Sequence, residues 1–406
     1  MKGKDFLLSN GFPRVVIVGA GHAGGACVLA LRRGGFEGSI TLVGQEVELP
    51  YERPALSKTV LMGRGAGPVY LASPEFWSQH TDLRVGLAVK ELNLAAREVF
   101  LSDGTKLAFD TLVLATGGKA RSLIACGPSL LTLRSLADAR DLALRAEVAR
   151  SAIIIGGGVI GLEVASSLAS RGLTVDVVEA GPQLMGRNVP EAAAAWIAKL
   201  HDIHDVGIHL GESVASINRI GNCEQVALTN GKSLLGDLVV AGIGIEPQTE
   251  LAVAAGLACR NGVLVDASYR SISHPEIYAI GDVAAKVDDS EPAPVRQETW
   301  AHAGASARVA ARAILGQAAE PEEIPWFWTE QFGHILRVAG APATADTVMN
   351  RGSHFQLYVR NERLVGVACL DAPRDFSVAR RLIADRSRLS SARLIDETTD
   401  LRKAVA

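Results

Sequence analysis

No two of the five cysteines in this 406-residue chain form a CxxC or CxxxxC pair; they fall at positions 27, 126, 223, 259 and 369. That spacing excludes a redox dithiol built from neighbours and argues against a cysteine zinc knot or a cysteine-bound iron–sulfur centre. Small-residue packing is the ordinary role for such scattered thiols, with Cys126 and Cys223 in polar, turn-like settings. Charge of one sign is also lacking: 41 Lys and Arg stand against 44 Asp and Glu, a formal charge of −3. No general basic field exists for nucleic acid, and any charged binding face must be local. No apolar run approaches about 18 residues, and the opening MKGKDFLLSNG has no signal-peptide core, so neither membrane spanning nor secretion is expected and a cytoplasmic location is. His201, His204 and His209 do not follow HExxH, which removes a zinc-peptidase reading and leaves surface or helix-end positions for them. Aromatics are scarce at 5%, so any local cluster of them carries information.

Glycine is the residue in excess, 41 in all, about one in ten against a usual ~7%. Its placement is ordered. RVVIVGAGHAGGACVLA over 14–30 runs an apolar strand into Gly19, Gly21 and Gly24 and then an alanine-rich helix, with the strand SITLVG following. In that strand–turn–helix setting the first glycine permits the tight turn, the second admits a pyrophosphate to the backbone and the third lets the helix pack on the sheet. His22, between the second and third glycines, is assigned to turn shape or packing. AIIIGGGVIGLEVASSLA over 152–169 repeats the pattern with Gly156, Gly158 and Gly161, and TVDVVE follows, ending at Glu179. A carboxylate there suits a ribose diol, and Ala180, Gly181 and Pro182 offer no cation to a 2′-phosphate, so NAD is expected in place of NADP. The first copy has Gly44 at the equivalent point, with Glu46 two residues on. Two unlike dinucleotide turns call for two dinucleotides, and FAD with NADH is the economical pair because flavin accepts electrons in pairs and releases them singly.

Further segments fit a flavin enzyme. DTLVLATGGKAR over 110–121 ends a buried strand at Thr116 and Gly117, a crossing from one nucleotide domain to the next, and LVVAGIGIEP over 238–247 repeats that exit. EIYAIGDVA over 276–284 places Gly281 and Asp282 after another apolar strand, with Asp282 an acceptor for ribityl hydroxyls and a helix expected after it. A long alanine-rich helix is expected between about Pro292 and Leu315, a surface helix over 136–150, and hairpins at LSDGTKLAFD and LTNGKSLL. HFQLYVR and ERLVGVACL read as neighbouring strands around a turn at 360–363, closed by the helix DFSVARRLIADR.

Taken together, VVIVGAGHAG, LPYERPALSK, DTLVLATGG, IIIGGGVIGLEVASSLA, IYAIGDVA, IPWFWTEQFG and RDFSVARRLIADR resemble the bacterial NADH-dependent, FAD-containing ferredoxin reductases of oxygenase systems, of the putidaredoxin reductase and biphenyl-dioxygenase reductase types. The resemblance covers nearly the whole chain; RPxLSK with PWFWTEQ is its specific part, and Ala55 departs from the usual RPPLSK. It implies an α/β, glutathione-reductase-like architecture with two Rossmann-like dinucleotide domains and a C-terminal α+β interface domain. The expected domains are 1–118 and 246–322 for FAD, 119–245 for NAD and 323–406 for the interface. It further implies that Arg53 and Lys58 lie beside the flavin and that Glu163 lies near the nicotinamide or pairs with Lys58. Trp328 or Phe327 would cover the flavin, and Arg296 with Glu298 would position its ring. The implied partner is a small [2Fe–2S] ferredoxin, docking transiently and serving an oxygenase or cytochrome P450, with Arg64, Arg337, Arg374, Arg380 and Arg381 available to attract it; the reductase itself is a monomer or weak homodimer. Rubredoxin reductase and NADH oxidase remain open as alternatives, as does a non-enzymatic, redox-regulated interaction flavoprotein.

Overall fold

A computed structural model of the chain describes residues 13–63, 67–123, 130–186, 189–288, 291–388 and 390–404. It divides into two compact units, one made of Met1–Arg53, Pro68–Lys119 and Ile245–Pro321, the other of Pro54–Gly67, Ala120–Gly244 and Glu322–Ala406.

The first unit begins with β1 (Arg14–Val18), α1 (His22–Arg33), β2 (Ser39–Gly44), β3 (Asp82–Val85) and β4 (Thr111–Leu114). β1 pairs in parallel with β2 and β4, and its residues 15–18 are buried, as a strand covered on both faces requires. Asp110 fixes the register by accepting from the Arg14 backbone N–H at 2.8 Å and from its guanidinium at 2.9 Å.

In the second unit β5 (Leu130–Thr132), β6 (Ser151–Ile155), α2 (Val159–Ser170), β7 (Thr174–Glu179), α3 (Glu191–Ile203), β8 (Gly207–Leu210) and β9 (Leu238–Ala241) follow. They form a parallel sheet in the order β8-β7-β6-β9-β5. Asp237 repeats the part of Asp110: its carboxylate accepts from the Arg150 and Ser151 N–H groups at 2.7 and 3.1 Å.

Only then does the chain add β10 (Ile277–Ala279) and α4 (Trp300–Ile314) to the first unit, completing a sheet in the order β10-β4-β1-β2-β3. The two sheets therefore share one strand order, and differ in whether the strand beside the exit strand comes late or early in the chain. The helix expected between about Pro292 and Leu315 starts at Trp300. Thr299 caps it by accepting from the His302 N–H, and Val295 instead bridges to Lys286. Asp282 lies within a single 3-10 turn, Gly281–Val283, and a short strand, Ala284–Lys286, follows where a helix was expected.

The C-terminal part of the second unit comprises β11 (Trp326–Gln331), β12 (His334–Gly340), β13 (Thr347–Asn350), β14 (Phe355–Arg360), β15 (Arg363–Leu370) and α5 (Pro373–Asp385). The strands form an antiparallel sheet in the order β11-β12-β15-β14-β13. Asn361 and Glu362, both at positive φ, make the two-residue turn between β14 and β15. Phe376, Ala379, Leu382 and Ile383 of α5 are buried with Phe355, Leu357 and Val367 of the sheet.

Candidate active site

The β1–α1 turn is a cradle shaped by sterics. Gly19 has φ +113°, and a Cβ there would stand 2.2 Å from the Ala115 carbonyl oxygen; one on Gly24 would stand 1.9 Å from the Gly19 oxygen. Gly21 is different, since a Cβ there would meet nothing nearer than Arg53 Nη2 at 3.5 Å. No side chain caps α1, whose N-cap is Gly21, so its first-turn N–H groups are left to an anion. Arg53 faces this turn while paired with Glu46 at 2.8 Å, and Glu46 also accepts from the Tyr51 hydroxyl at 2.6 Å.

Around the same cradle, Gly281, at φ +68°, donates to Ser306 of α4, and a Cβ on it would press against Ala23 of α1 at 2.8 Å. Asp282 follows directly, and its carbonyl accepts from Arg296 at 3.3 Å. Arg296 pairs with Glu298 at 2.6 Å, yet its buried Nε has no partner, nor does the buried Nδ1 of His22. Burial, then the charge of Arg53, pushes His22 down to about 4 against the opposing pull of Asp282. A phosphate-rich, polar cofactor fits these uncapped and orphaned groups. Thr116 and Gly117 are engaged with the backbone of Gln248, through the Thr116 hydroxyl at 2.8 Å and the Gly117 carbonyl at 2.9 Å. They act as the crossing where the chain returns.

The β6–α2 turn repeats the design. Gly156 has φ +105° and would meet the Gly242 oxygen at 2.6 Å, Gly161 would meet the Gly156 oxygen at 2.0 Å, and Gly158 has clear ground out to 3.8 Å. Gly158 is the N-cap of α2 and again no side chain caps it. Glu179, at the end of β7, accepts from the Gly157 and Gly181 N–H groups, both at 2.7 Å. Backbone amides thus fix its carboxylate at the turn, with a second lone pair on each oxygen left for a diol.

Glu163 lies in α2 just beyond this turn and is 3% exposed. Its Oε2 meets Lys58 Nζ at 2.7 Å and accepts from Ser57 Oγ at 2.5 Å; its Oε1 accepts from Thr329 Oγ1 at 2.8 Å and the Glu330 N–H at 3.3 Å. Lys58 sits on the single π-type turn Leu56–Val60 and also donates to the Pro54 carbonyl at 3.1 Å. The second unit therefore brings together PALSK, the second glycine helix and WFWTEQ around one buried carboxylate. Ser57 and Thr329 were not singled out from sequence, although both stand inside the motifs that were; His201, expected at the surface or a helix end, is at a helix end but fully buried.

Trp328 stacks on Trp326, with ring centroids 5.5 Å apart, and Arg380 lies over Trp326 at 4.6 Å. Strand alternation puts Phe327 on the opposite face, with Thr329 and Gln331, against the core of the second unit. Of the basic residues, Arg374 and Arg381 are exposed, Arg337 is half-buried opposite Trp328, and Arg64 falls outside the described residues, as does Cys126. The four described thiols are shifted upward, Cys27 and Cys369 to about 12 by burial, which suits packing and makes poor nucleophiles. Among the described residues no group of three or more His, Cys, Asp or Glu could hold a metal, and no helix is long and apolar enough to cross a membrane.

His302 of α4, bonded to the Tyr269 hydroxyl at 3.0 Å, is pushed down to about 4, chiefly by burial. Its folded-state value lies below its unfolded one, so the stability tied to the neutral ring is complete above about pH 6.5 and is lost as pH falls towards 4. In urea unfolding, the stability lost between pH 7 and pH 5 should be smaller by about 2 kcal/mol in His302→Gln than in the natural chain. An equal loss in both would place the titration elsewhere.

Residues 13–307 match the family model described as pyridine nucleotide-disulphide oxidoreductase, and 326–405 match the reductase C-terminal model. The chain is 37% identical over 382 residues to a ferredoxin–NAD(P)(+) reductase of Sphingomonas sp, covering 91% of this chain and 92% of that one. It is 36% identical over 404 residues to the ferredoxin–NAD(+) reductase component of the biphenyl dioxygenase system of Paraburkholderia xenovorans (strain LB400), covering 96% and 97%. Among solved structures, the ferredoxin reductase for the CYP199A2 system from Rhodopseudomonas palustris superposes with a TM-score of 0.91 at 31% identity, over 97% of this chain and 100% of that one. The chain belongs to the pyridine nucleotide-disulphide oxidoreductase family, and within it to the FAD-containing ferredoxin reductases of bacterial oxygenase systems. It is a flavin-dependent oxidoreductase whose cofactors are FAD and NAD(H).

Proposed function

We propose that this chain takes electrons in pairs from NADH and delivers them singly to a small [2Fe–2S] ferredoxin that serves an oxygenase or cytochrome P450. The observation that carries this reading is the pair of uncapped glycine cradles in a chain with no CxxxxC dithiol. FAD, when bound, supplies the conversion between two-electron and one-electron chemistry.

The chain's own residues bind and orient. Gly19, Gly21 and Gly24 hold the FAD pyrophosphate with Arg53 as counter-charge, buttressed by Glu46. Asp282 takes the ribityl hydroxyls, and Arg296 with Glu298 positions the ring system, while Thr116 and Gly117 bring the returning chain to its place. Gly156, Gly158 and Gly161 hold NADH, and Glu179 accepts from its ribose. Lys58 and Glu163 align the reacting ring, where alignment contributes more than any proton donor, and Trp328 shields the electron exit. In functional terms the FAD domain is 1–118 with 246–322, the NAD domain 119–245 and the interface domain 323–406. The protein works in the cytoplasm as a monomer or weak homodimer, and its ferredoxin docks through a small interface steered by basic residues, with steering that weakens as salt rises.

Anaerobic reduction of the flavin-loaded protein by NADH, followed by challenge with a [2Fe–2S] ferredoxin, a rubredoxin, oxygen and a disulfide, tests the reading. Rapid single-electron reduction of the ferredoxin is expected. Fast turnover with oxygen while both iron proteins stay oxidised would replace the reading with an NADH oxidase.

A further inference from the structure

His201 lies in the last turn of α3, and nothing in the function proposed above uses it. Its Nε2 is 2.7 Å from Gln331 Oε1, Gln331 Nε2 is 3.0 Å from Thr329 Oγ1, and Thr329 Oγ1 is 2.8 Å from Glu163 Oε1. The exposures of the four are 0%, 1%, 0% and 3%, so water does not complete the row.

The protons along it follow by elimination. Glu163 is ion-paired with Lys58 and only accepts, so the single Thr329 proton goes to it. The Thr329 oxygen then accepts from the Gln331 amide nitrogen, which turns the amide oxygen towards His201. His201 must answer with an N–H, so Nε2 carries the proton and Nδ1, buried and without a partner, is bare. Burial lowers the His201 pKa, which favours the neutral ring, and the Gln331 oxygen facing Nε2 selects the tautomer. Every donor in the row points towards the carboxylate.

The carboxylate sets this direction from one end, and His201 is what holds the Gln331 oxygen at the other. Without the donor at its far end, the Gln331 amide is free to flip and offer its oxygen to Thr329, whose proton then leaves Glu163. Oε1 would keep only the long 3.3 Å bond from the Glu330 N–H. We propose that His201 is a positioning residue which, by holding the far end of this buried row against a flip of the Gln331 amide, fixes the Glu163 carboxylate and through it Lys58. The inference rests on the reading that Glu163 and Lys58 serve electron transfer from NADH.

Two measurements on the flavin-loaded protein test it. In histidine ¹⁵N NMR, His201 is expected neutral with the proton on Nε2; a proton on Nδ1 reverses the row and overturns the proposal. In anaerobic stopped flow, His201→Phe should slow flavin reduction at saturating NADH about fivefold without changing the NADH Kd. His201→Gln, whose amide nitrogen can take the place of Nε2, should restore the rate to within about twofold. In a Thr329→Val background His201→Phe should add nothing, because the row is already cut. A full rate in His201→Phe, or additive losses in the double variant, would show a merely structural histidine. Should His201→Phe fail to hold flavin, Gln331→Met makes the same comparison. If Glu163→Gln leaves both rate and NADH affinity unchanged, the reading of Glu163 itself fails, whatever tautomer His201 shows, and this inference falls with it.

Discussion

Lys58→Met should slow NADH-dependent flavin reduction at least about a hundredfold and lower the thermal midpoint as well. The Glu163 carboxylate is 3% exposed and Lys58 is the cation at 2.7 Å, so the substitution leaves a buried charge with only neutral donors from Ser57, Thr329 and the Glu330 backbone. Breaking one side of a buried ion pair typically costs about 3–5 kcal/mol, because the remaining charge has lost its counter-charge and cannot reach water. The rate and the stability are separable. Lys58→Met combined with Glu163→Leu removes both charges and should recover much of the thermal midpoint, since an apolar pair of similar volume is often no less stable than a buried ion pair. It should recover none of the rate. Stopped-flow reduction beside calorimetry on the single and double variants reads this directly, and a single variant that reduces its flavin at the natural rate would remove Lys58 from the chemistry.

The second large effect separates the two cradles. Gly24→Ala is expected to yield protein that does not retain FAD, because the new methyl would stand 1.9 Å from the Gly19 oxygen at the mouth of the first turn. Gly161→Ala places a methyl 2.0 Å from the Gly156 oxygen in the second turn. That variant should keep its flavin and its reduction by dithionite, while reduction by NADH falls by a hundredfold or more. In both cases the obstructing atom is backbone that holds the turn, so relief requires moving the amides that receive the phosphates. Flavin content by absorbance, and reduction by dithionite against NADH, distinguish the outcomes. Loss of flavin in Gly161→Ala with its retention in Gly24→Ala would reverse the assignment of the cradles.

Both turns could be read from sequence because their sterics follow one pattern: Gly24 and Gly161 would clash with the oxygen of the first glycine of their own turn, Gly19 and Gly156 with a carbonyl just past the exit strand, and Gly21 and Gly158 stay open. The β14–β15 turn and the closing helix were legible as well, since alternation and turn chemistry are encoded within a few residues. The start of α4 at Trp300 was less so, because alanine richness continues a helical pattern that Thr299 as cap and the Val295–Lys286 bridge interrupt. The burial of His201 was legible only in part: position 201 falls on the helical stripe of Ala193, Ala194, Ile197 and Leu200. Its partner Gln331 lies 130 residues away, and nothing local to α3 points to it. Trp328 shows the intermediate case: its motif was plain, but which aromatic shares its face became clear only when β11 was placed as a strand, pairing it with Trp326 and turning Phe327 away.

The shared strand order of the two sheets has a consequence for the order in which the chain is made. β5 leaves the ribosome before β6 to β9, so the parallel sheet of the second unit has all its strands once Ala241 has been synthesised. β4 ends at Leu114, whereas its neighbour β10 begins at Ile277, about 160 residues later. At roughly 5–20 residues per second that is about 8–30 s of synthesis before the strand that covers the far edge of β4 exists. Arg14 at the start of β1 and Asp110 just before β4 are both made by the time Leu114 is, so the contact that sets their register is available long before β10. The sheet that β10 completes is therefore the later of the two to have all its strands.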